Sequence, residues 1–330
     1  MNFRKWQREY LIYAVAIFLG ICTYRVFYIM HQGVNFSAMT DAAYGVIEGK
    51  PHWLAYQNRL LGPYLVLGIS IIGCSYASAL EVFSCLLIIL ECIVLLHLML
   101  KINISRKQSV LYLVVFLFAF LTLQDFWFYS WDSIDLLIFT FFSFGIIERK
   151  NINYFLILFL IALLNRESAL FIAAYLMLDA FMIDIKKRIV EFSKPKQFAF
   201  GSLLLLIDLV YIKMSRHLLF VSKPDGMPDT EHELIGNHIN LLNNIKDIFF
   251  NNLFNSKIIF SVAIIFCVTY FTYNIKYYSD SGFKCFIMLI ILIFNILIFG
   301  IFNETRMHFI LLPFFLFLWI NINNNNAYKR

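Results

Sequence analysis

The sequence predicts an all-α integral membrane protein with about ten membrane-spanning helices, and three observations predict it. They are the composition, the length of the apolar runs and the placement of Lys and Arg. Of 330 residues, 61% are hydrophobic and only 15% are charged, against roughly 25% charged in an average soluble domain. A chain this apolar cannot cover itself with a wetted surface, so lipid must be its solvent over much of its length. No polar stretch is long enough to fold alone, which leaves a single polytopic membrane domain over residues 1–330 with outer loops at about 31–78 and 215–257. The asparagine-rich end, about 321–330, reads as a frayed tail.

A span needs about 20 mostly apolar residues. Ten runs qualify once polar motifs at their ends are allowed for: Tyr10–Met30, Ala79–Leu100, Val110–Gln124, Ser133–Ile147, Tyr154–Leu164, Ala169–Ile183, Phe198–Met214, Ile258–Tyr273, Phe283–Phe302 and Met307–Ile320. The first is too long for a signal-peptide core and lacks a small-residue cleavage site, so it reads as a retained span. The run Leu60–Cys74 is short and is expected in the outer leaflet, as a re-entrant or interfacial piece of the first outer loop; a short hairpin with Ala79–Leu100 is the alternative.

Orientation follows from Lys and Arg, which concentrate in cytoplasmic loops. Arg4, Lys5 and Arg8, then Lys101, Arg106 and Lys107, then Arg149 and Lys150, then the run from Lys186 to Lys196, then Lys276, Lys284, Lys329 and Arg330 fall on one side of an even number of spans. Both termini are therefore expected in the cytoplasm, in the cytoplasmic membrane of a bacterium. The same distribution accounts for the net charge of +6 without a nucleic-acid partner. The six cysteines lie in or beside apolar runs with no CxxC pair, which argues against a metal site or a disulfide framework. Histidines His52, His217, His232 and His238 match no ligand spacing, so no cofactor is expected and a divalent metal has no support in the sequence.

The opposite side collects the less common charges. The first outer loop has Asp41, Glu48, Lys50, His52 and Arg59; the second has Asp125, Asp132 and Asp135; the third is Asn165-Arg166-Glu167; the fifth is Asn303-Glu304-Thr305-Arg306. The fourth holds Lys223, Asp225, Asp229, Glu231, His232, Glu233 and His238. Ionisable groups at membrane depth cost roughly 2.5–3.5 kcal/mol each and are tolerated where they pair or face a wet cavity. One shared polar cavity is expected to collect Arg166, Glu167, Glu304 and Arg306. Asp41, Tyr44 and Glu48 fall on one face of a short helix that Gly49 and Pro51 end, with Thr40 or Asp41 as the alternative helix cap. Glu91 and His97 share one apolar run and read as buried polar pairing or cavity lining.

In this order the motifs resemble those of the GT-C superfamily of polytopic glycosyltransferases, which use polyprenyl-phosphate sugar donors. The likeness rests on Asp41-Ala42 through Gly49, on Asn58-Arg59-Leu60-Leu61-Gly62-Pro63, on YSWDSIDLL with Asp132 and Asp135, on LLNRESALF with Arg166-Glu167, and on NETRMHFILLP with Glu304, Arg306 and Pro313. The chain departs from the pattern in having no adjacent acidic pair in the first loop and no soluble C-terminal domain. The resemblance implies Asp41 as general base on an acceptor hydroxyl. It implies Arg59 and Arg306 as ligands of the donor phosphate. Glu48, Asp132, Asp135, Arg166, Glu167 and Glu304 would complete the substrate site, with Trp53, Trp127, Tyr129 and Trp131 against the sugar. The implied partners are a polyprenyl-phosphate sugar donor, a glycan or lipid acceptor, and membrane lipid. A capsule or O-antigen polymerase and a lipid-linked sugar flippase or transporter are the alternatives.

Overall fold

The computed structural model describes residues 3–50, 56, 58–124, 126–184, 187, 189–219, 239–251 and 258–327. It is about 81% helical. The helices are α1 (Phe3–Met30), α2 (Phe36–Ile47), α3 (Leu61–Ser70), α4 (Tyr76–Lys101), α5 (Arg106–Thr122), α6 (Ser130–Ile147), α7 (Ile152–Asn165), α8 (Ala169–Asp179), α9 (Pro195–Leu218), α10 (Leu241–Phe249), α11 (Ile258–Tyr273), α12 (Asp280–Phe299) and α13 (Leu312–Ala327). Among the described residues, six stretches are long and apolar enough to cross a membrane: Tyr10–Met30, Tyr76–Lys101, Ser130–Ile147, Pro195–Ser215, Asp280–Phe299 and Thr305–Asn324. The protein is a multi-pass, helical membrane protein.

At the centre stands α6. Nearly every side chain from Ser130 to Ile146 is buried, because α3, α4, α7, α12 and α13 surround it. A helix buried on all sides shows no polar face. The pairing of the helices sorts their ends into two groups. Tyr13 of α1 meets His97 of α4 at 3.0 Å, so the start of α1 lies beside the end of α4, while Phe27 at the other end of α1 meets Phe120 and Phe128. Lys101 and Lys150 both lie over the ring of Phe144, and Lys284 reaches Asp179 at 2.9 Å. One end of the bundle therefore gathers Lys101, Arg149, Lys150, Lys194 and Lys284. The opposite end gathers the starts of α3 and α6, the α7–α8 junction and the segment before α13.

The structure departs from the all-helical expectation at one place. β1 (Phe181–Asp184) and β2 (Ile189–Phe192) pair antiparallel, Phe181 opposite Phe192, so the Ala169–Ile183 run leaves its helix at Asp179. Met182, Ile189, Val190 and Phe192 are exposed, and the last three are good strand formers that suit an extended pair. A second departure is the tail. Residues from Asn321 are helical to Ala327 where fraying was expected, because Ile322 is fully buried and Asn321 Nδ2 donates to Ser279 Oγ at 3.5 Å. α3 has 10 residues, about 15 Å of helix, half of a hydrocarbon core of about 30 Å. Its exposed tip, Ile71 and Ile72, turns straight back into α4, with Tyr76 Oη donating to Pro63 O at 3.3 Å.

Candidate functional site

The site starts from a junction with no slack. Residues 166–168 are all that separate α7 from α8, so Arg166 and Glu167 are held at helix ends. Arg166 sits in extended backbone, φ −167° and ψ 165°, as the C-cap of α7. Asp132 is the third residue of α6 and accepts from the Tyr129 backbone N–H at 2.9 Å, a capping bond that fixes its carboxylate. One turn on, Asp135 accepts from Asn165 Nδ2 and from Ser168 Oγ, each at 2.9 Å. Asn165 Nδ2 also donates to Trp131 O at 2.9 Å, which ties the α7–α8 junction to the start of α6.

The carboxylates join the two arginine loops. Arg166 Nη1 lies 3.2 Å from Asp132 and 3.4 Å from Asp135. Arg306 Nη1 lies 3.6 Å from the other oxygen of Asp132 and pairs with its neighbour Glu304. The α7–α8 junction and the segment before α13 thus meet through one aspartate, as a shared cavity requires. Burial alone would destabilise the Arg166 cation, but Asp135, Asp132 and Glu167 outweigh it and hold it charged more firmly than a free arginine.

Arg59 is different. It precedes α3, where Leu60 N donates to Leu164 O at 3.1 Å and Gly62 lies against α6. A Cβ on Gly62 would come within 2.6 Å of Ser130 Oγ and 2.9 Å of Trp131 N, so only glycine lets α3 start this close. The Arg59 side chain is 11% exposed and lies over Tyr56 at 4.9 Å and Trp131 at 5.4 Å. Among the described residues its ion pair is a long one, 3.8 Å to Glu167, and its buried Nε has no hydrogen-bond partner. Burial and the neighbouring Arg166 both push its charge toward loss. An anion arriving here would reverse both penalties.

Arg59, Arg166, Arg306, Asp132 and Glu304 line a cavity of about 200 Å³, together with Tyr56, Asn240 and the Phe299–Ile301 turn. A second, larger groove of about 470 Å³ holds Asp41, Glu48, Lys50, Tyr44, Trp127 and Tyr129. Between them stands a stack of rings: Tyr129 on Trp131 at 4.6 Å, with Tyr56 4.8 Å from Trp131 and 5.2 Å from Tyr129. Tyr129 serves both sides, since it lines the groove and carries Arg306 over its ring at 5.2 Å. These rings are buried and are not an interfacial belt.

Asp41 stands in mid-helix and caps nothing. α2 starts at Phe36, and Thr40 bonds back to Phe36 O at 2.8 Å. Its apolar face, Met39, Ala42, Ala43 and Val46, is buried, while Asp41, Tyr44 and Glu48 share the exposed face. Glu48 is the C-cap of α2 and Gly49, at φ 70°, ends the helix, with Lys50 N closing on Gly45 O at 2.8 Å. Asp135 and Glu167 lie behind the arginines and do not line the cavity.

Sequence reasoning placed Asn165 in the third loop, before Arg166, without a role, and missed Ser168, Tyr56 and Asn240. Ser168 follows the Arg166-Glu167 motif, and that adjacency was the available signal. Glu91 accepts from Thr140 Oγ1 at 2.5 Å deep in the bundle, a polar pairing between α4 and α6. His52, Trp53, Asp125, His232, His238 and the fourth-loop acids and Lys223 lie outside the described residues. Among the described residues no three His, Cys, Asp or Glu side chains gather as a metal set. A comparison with protein-family models, with curated proteins and with solved structures finds no match.

Proposed function

We propose that the protein is a membrane glycosyltransferase of the GT-C kind, moving a sugar from a polyprenyl-phosphate donor to a glycan or lipid acceptor at the outer face of a bacterial cytoplasmic membrane. The observation that carries this reading is Arg59, a desolvated guanidinium at a cavity wall with one buried N–H unmet. A planar fork of donors suits phosphate oxygens, and Arg306 lines the same cavity. In this reading α1, α4 to α9, α11, α12 and α13 make ten crossings, the shorter ones held between the longer. The cationic end of the bundle faces the cytoplasm, with both termini, as Lys and Arg in loops require.

The two chambers divide the labour. The donor phosphate lies against Arg59 and Arg306, and the acceptor hydroxyl lies in the groove of Asp41 and Glu48. Asp41 takes the hydroxyl proton as the acceptor oxygen bonds to the anomeric carbon. The bond from that carbon to the phosphate oxygen breaks, and its electron pair leaves with the polyprenyl phosphate, whose charge the arginines stabilise. Tyr129, backed by the buried Trp131, flanks the sugar, and Asp132 and Asp135 hold the arginines in place. Glu48, Asp132 and Glu304 stand at helix ends, which supports chemistry at the interface over a midplane transport path.

Asp41→Asn tests this reading. It keeps the size and hydrogen bonding of an exposed side chain and removes the base. The expected result is a normally inserted protein whose transfer from a polyprenyl-phosphate sugar falls by roughly 10²–10⁴. Full activity in the variant contradicts the assignment and moves the search to Glu48 in the same groove.

A further inference from the structure

We infer that the end of the bundle opposite the arginine cavity carries a second binding site, for a phosphate-bearing anion. The site is a cavity of about 440 Å³; it rests on the cytoplasmic placement of this end, taken from the proposed function, and on nothing of the sugar-transfer chemistry.

Four cations line it: Arg149, Lys150, Lys194 and Lys284. Two carboxylates face them. Asp179 is shared by Lys194 and Lys284, each at 2.9 Å, and also accepts from Gln197 at 2.7 Å. Asp280 takes Lys284 at 3.2 Å and Arg149 only at 4.0 Å. Lys150 has no carboxylate partner among the described residues and lies 5.6 Å from the Phe144 ring. Two positive charges are left over. The N-terminal ends of α7, α9 and α12 also reach the cavity, through Asn151 and Ile152, Lys194 and Gln197, and Asp280 and Ser281. Each helix start adds roughly half a positive charge; Asn151 and Ser279 cap the starts of α7 and α12 at Tyr154 N and Gly282 N, so the dipoles add field and the side-chain cations supply the contacts. Lys284, 4% exposed, sits in the lining beneath the more exposed cations, so this is a built recess.

Arg149 adds an independent sign. It has φ 51°, the left-handed conformation at a helix end where glycine is the usual residue. Its N–H and that of Lys150 close α6 on Ile146 O and Gly145 O. A long cationic side chain kept where glycine fits better is a local conflict, and such conflicts cluster at functional positions. Basic pockets between helices at a membrane's cytoplasmic side bind anionic head groups. A phospholipid phosphate and a soluble phosphate share the chemistry and differ in source.

The test compares wild type with Arg149→Gly, alone and combined with Lys150→Gln, and with a control, Lys107→Gln/Lys276→Gln. The control removes the same charge at the same end but outside the cavity. Two probes are used: phosphatidylglycerol against phosphatidylcholine, scored by retention in native mass spectrometry, and inorganic pyrophosphate, scored by titration calorimetry in lipid-free detergent. The double cavity variant is expected to bind its probe about tenfold or more weakly, while the control binds as wild type. Selective retention of phosphatidylglycerol assigns a lipid head group; binding of pyrophosphate without that selectivity assigns a soluble phosphate. Because glycine suits φ 51°, Arg149→Gly is expected to unfold at or above the wild-type temperature, which separates lost binding from lost folding. Binding of neither probe, wild-type binding in the cavity variants, or an equal loss in the control overturns the proposal.

Discussion

The two ends of the bundle carry the same kinds of charge and use them differently. At the cationic end a buried lysine, Lys284, and an open one, Lys194, share a carboxylate beside a roomy cavity: Lys194 is 52% exposed, and its pair with Asp179 is open to water. At the other end the charges are packed between aromatic rings. Asp132 is 4% exposed and holds two arginines at once, while Arg59 lies against Tyr56 and Trp131 with only a long pair. Water and salt screen the first arrangement and hardly reach the second. Counting charges does not separate the two ends. The degree to which each charge is already paired, and how dry it is, does.

The largest expected effect follows from that dryness. Asp132→Ala leaves Arg166 and Arg306 without their shared carboxylate, and removing one partner of a buried pair costs about 3–5 kcal/mol. Thermal unfolding of the purified protein should show a loss of that order. A shift no larger than that of an exposed pair, below about 1 kcal/mol, would mean that this end is as wet as the other.

A smaller effect is expected from packing. Gly62→Ala drives a methyl group into Ser130 and the Trp131 backbone, and overpacking of this kind costs roughly 1–3 kcal/mol. It should also weaken donor binding, since α3 carries Arg59 into place. An unchanged unfolding temperature together with unchanged donor binding would show that the α3–α6 contact does not set the site.

The least disturbing experiment asks which end faces out. In a background with the six native cysteines replaced, and with cysteines at Glu48 and at Lys194 in separate variants, an impermeant thiol reagent applied to intact cells should label the first and not the second. Reversed labelling would invert the bundle and place the arginine cavity in the cytoplasm.

Much of this difference was legible in the sequence, and some was not. The apolar runs marked the long helices because a span must be continuous. The Asp41, Tyr44 and Glu48 face was visible because α2 is half exposed. The approach of Arg166 to Arg306 followed from both lying beside apolar runs with no loop to spare. Asp132 as the hub was hidden, because its partners lie 34 residues away at Arg166 and further on at Arg306. α6 is buried on every side, so periodicity says nothing about which face holds which neighbour. The strand pair at Phe181–Phe192 was hidden because a short apolar run reads equally as helix or strand. The helical tail depended on Ile322 finding a pocket, which local composition does not reveal.

The central claim is that Arg59 and Arg306 form a phosphate site at the outer end of the bundle. The direct measurement is a structure of the protein with a polyprenyl-phosphate analogue bound. The account predicts the phosphate inside the arginine cavity, with an oxygen about 2.7–2.9 Å from the Arg59 guanidinium and the sugar-bearing side toward Tyr129. A phosphate seated away from Arg59, or an Arg59 still turned to Glu167 with the analogue bound elsewhere, would contradict it.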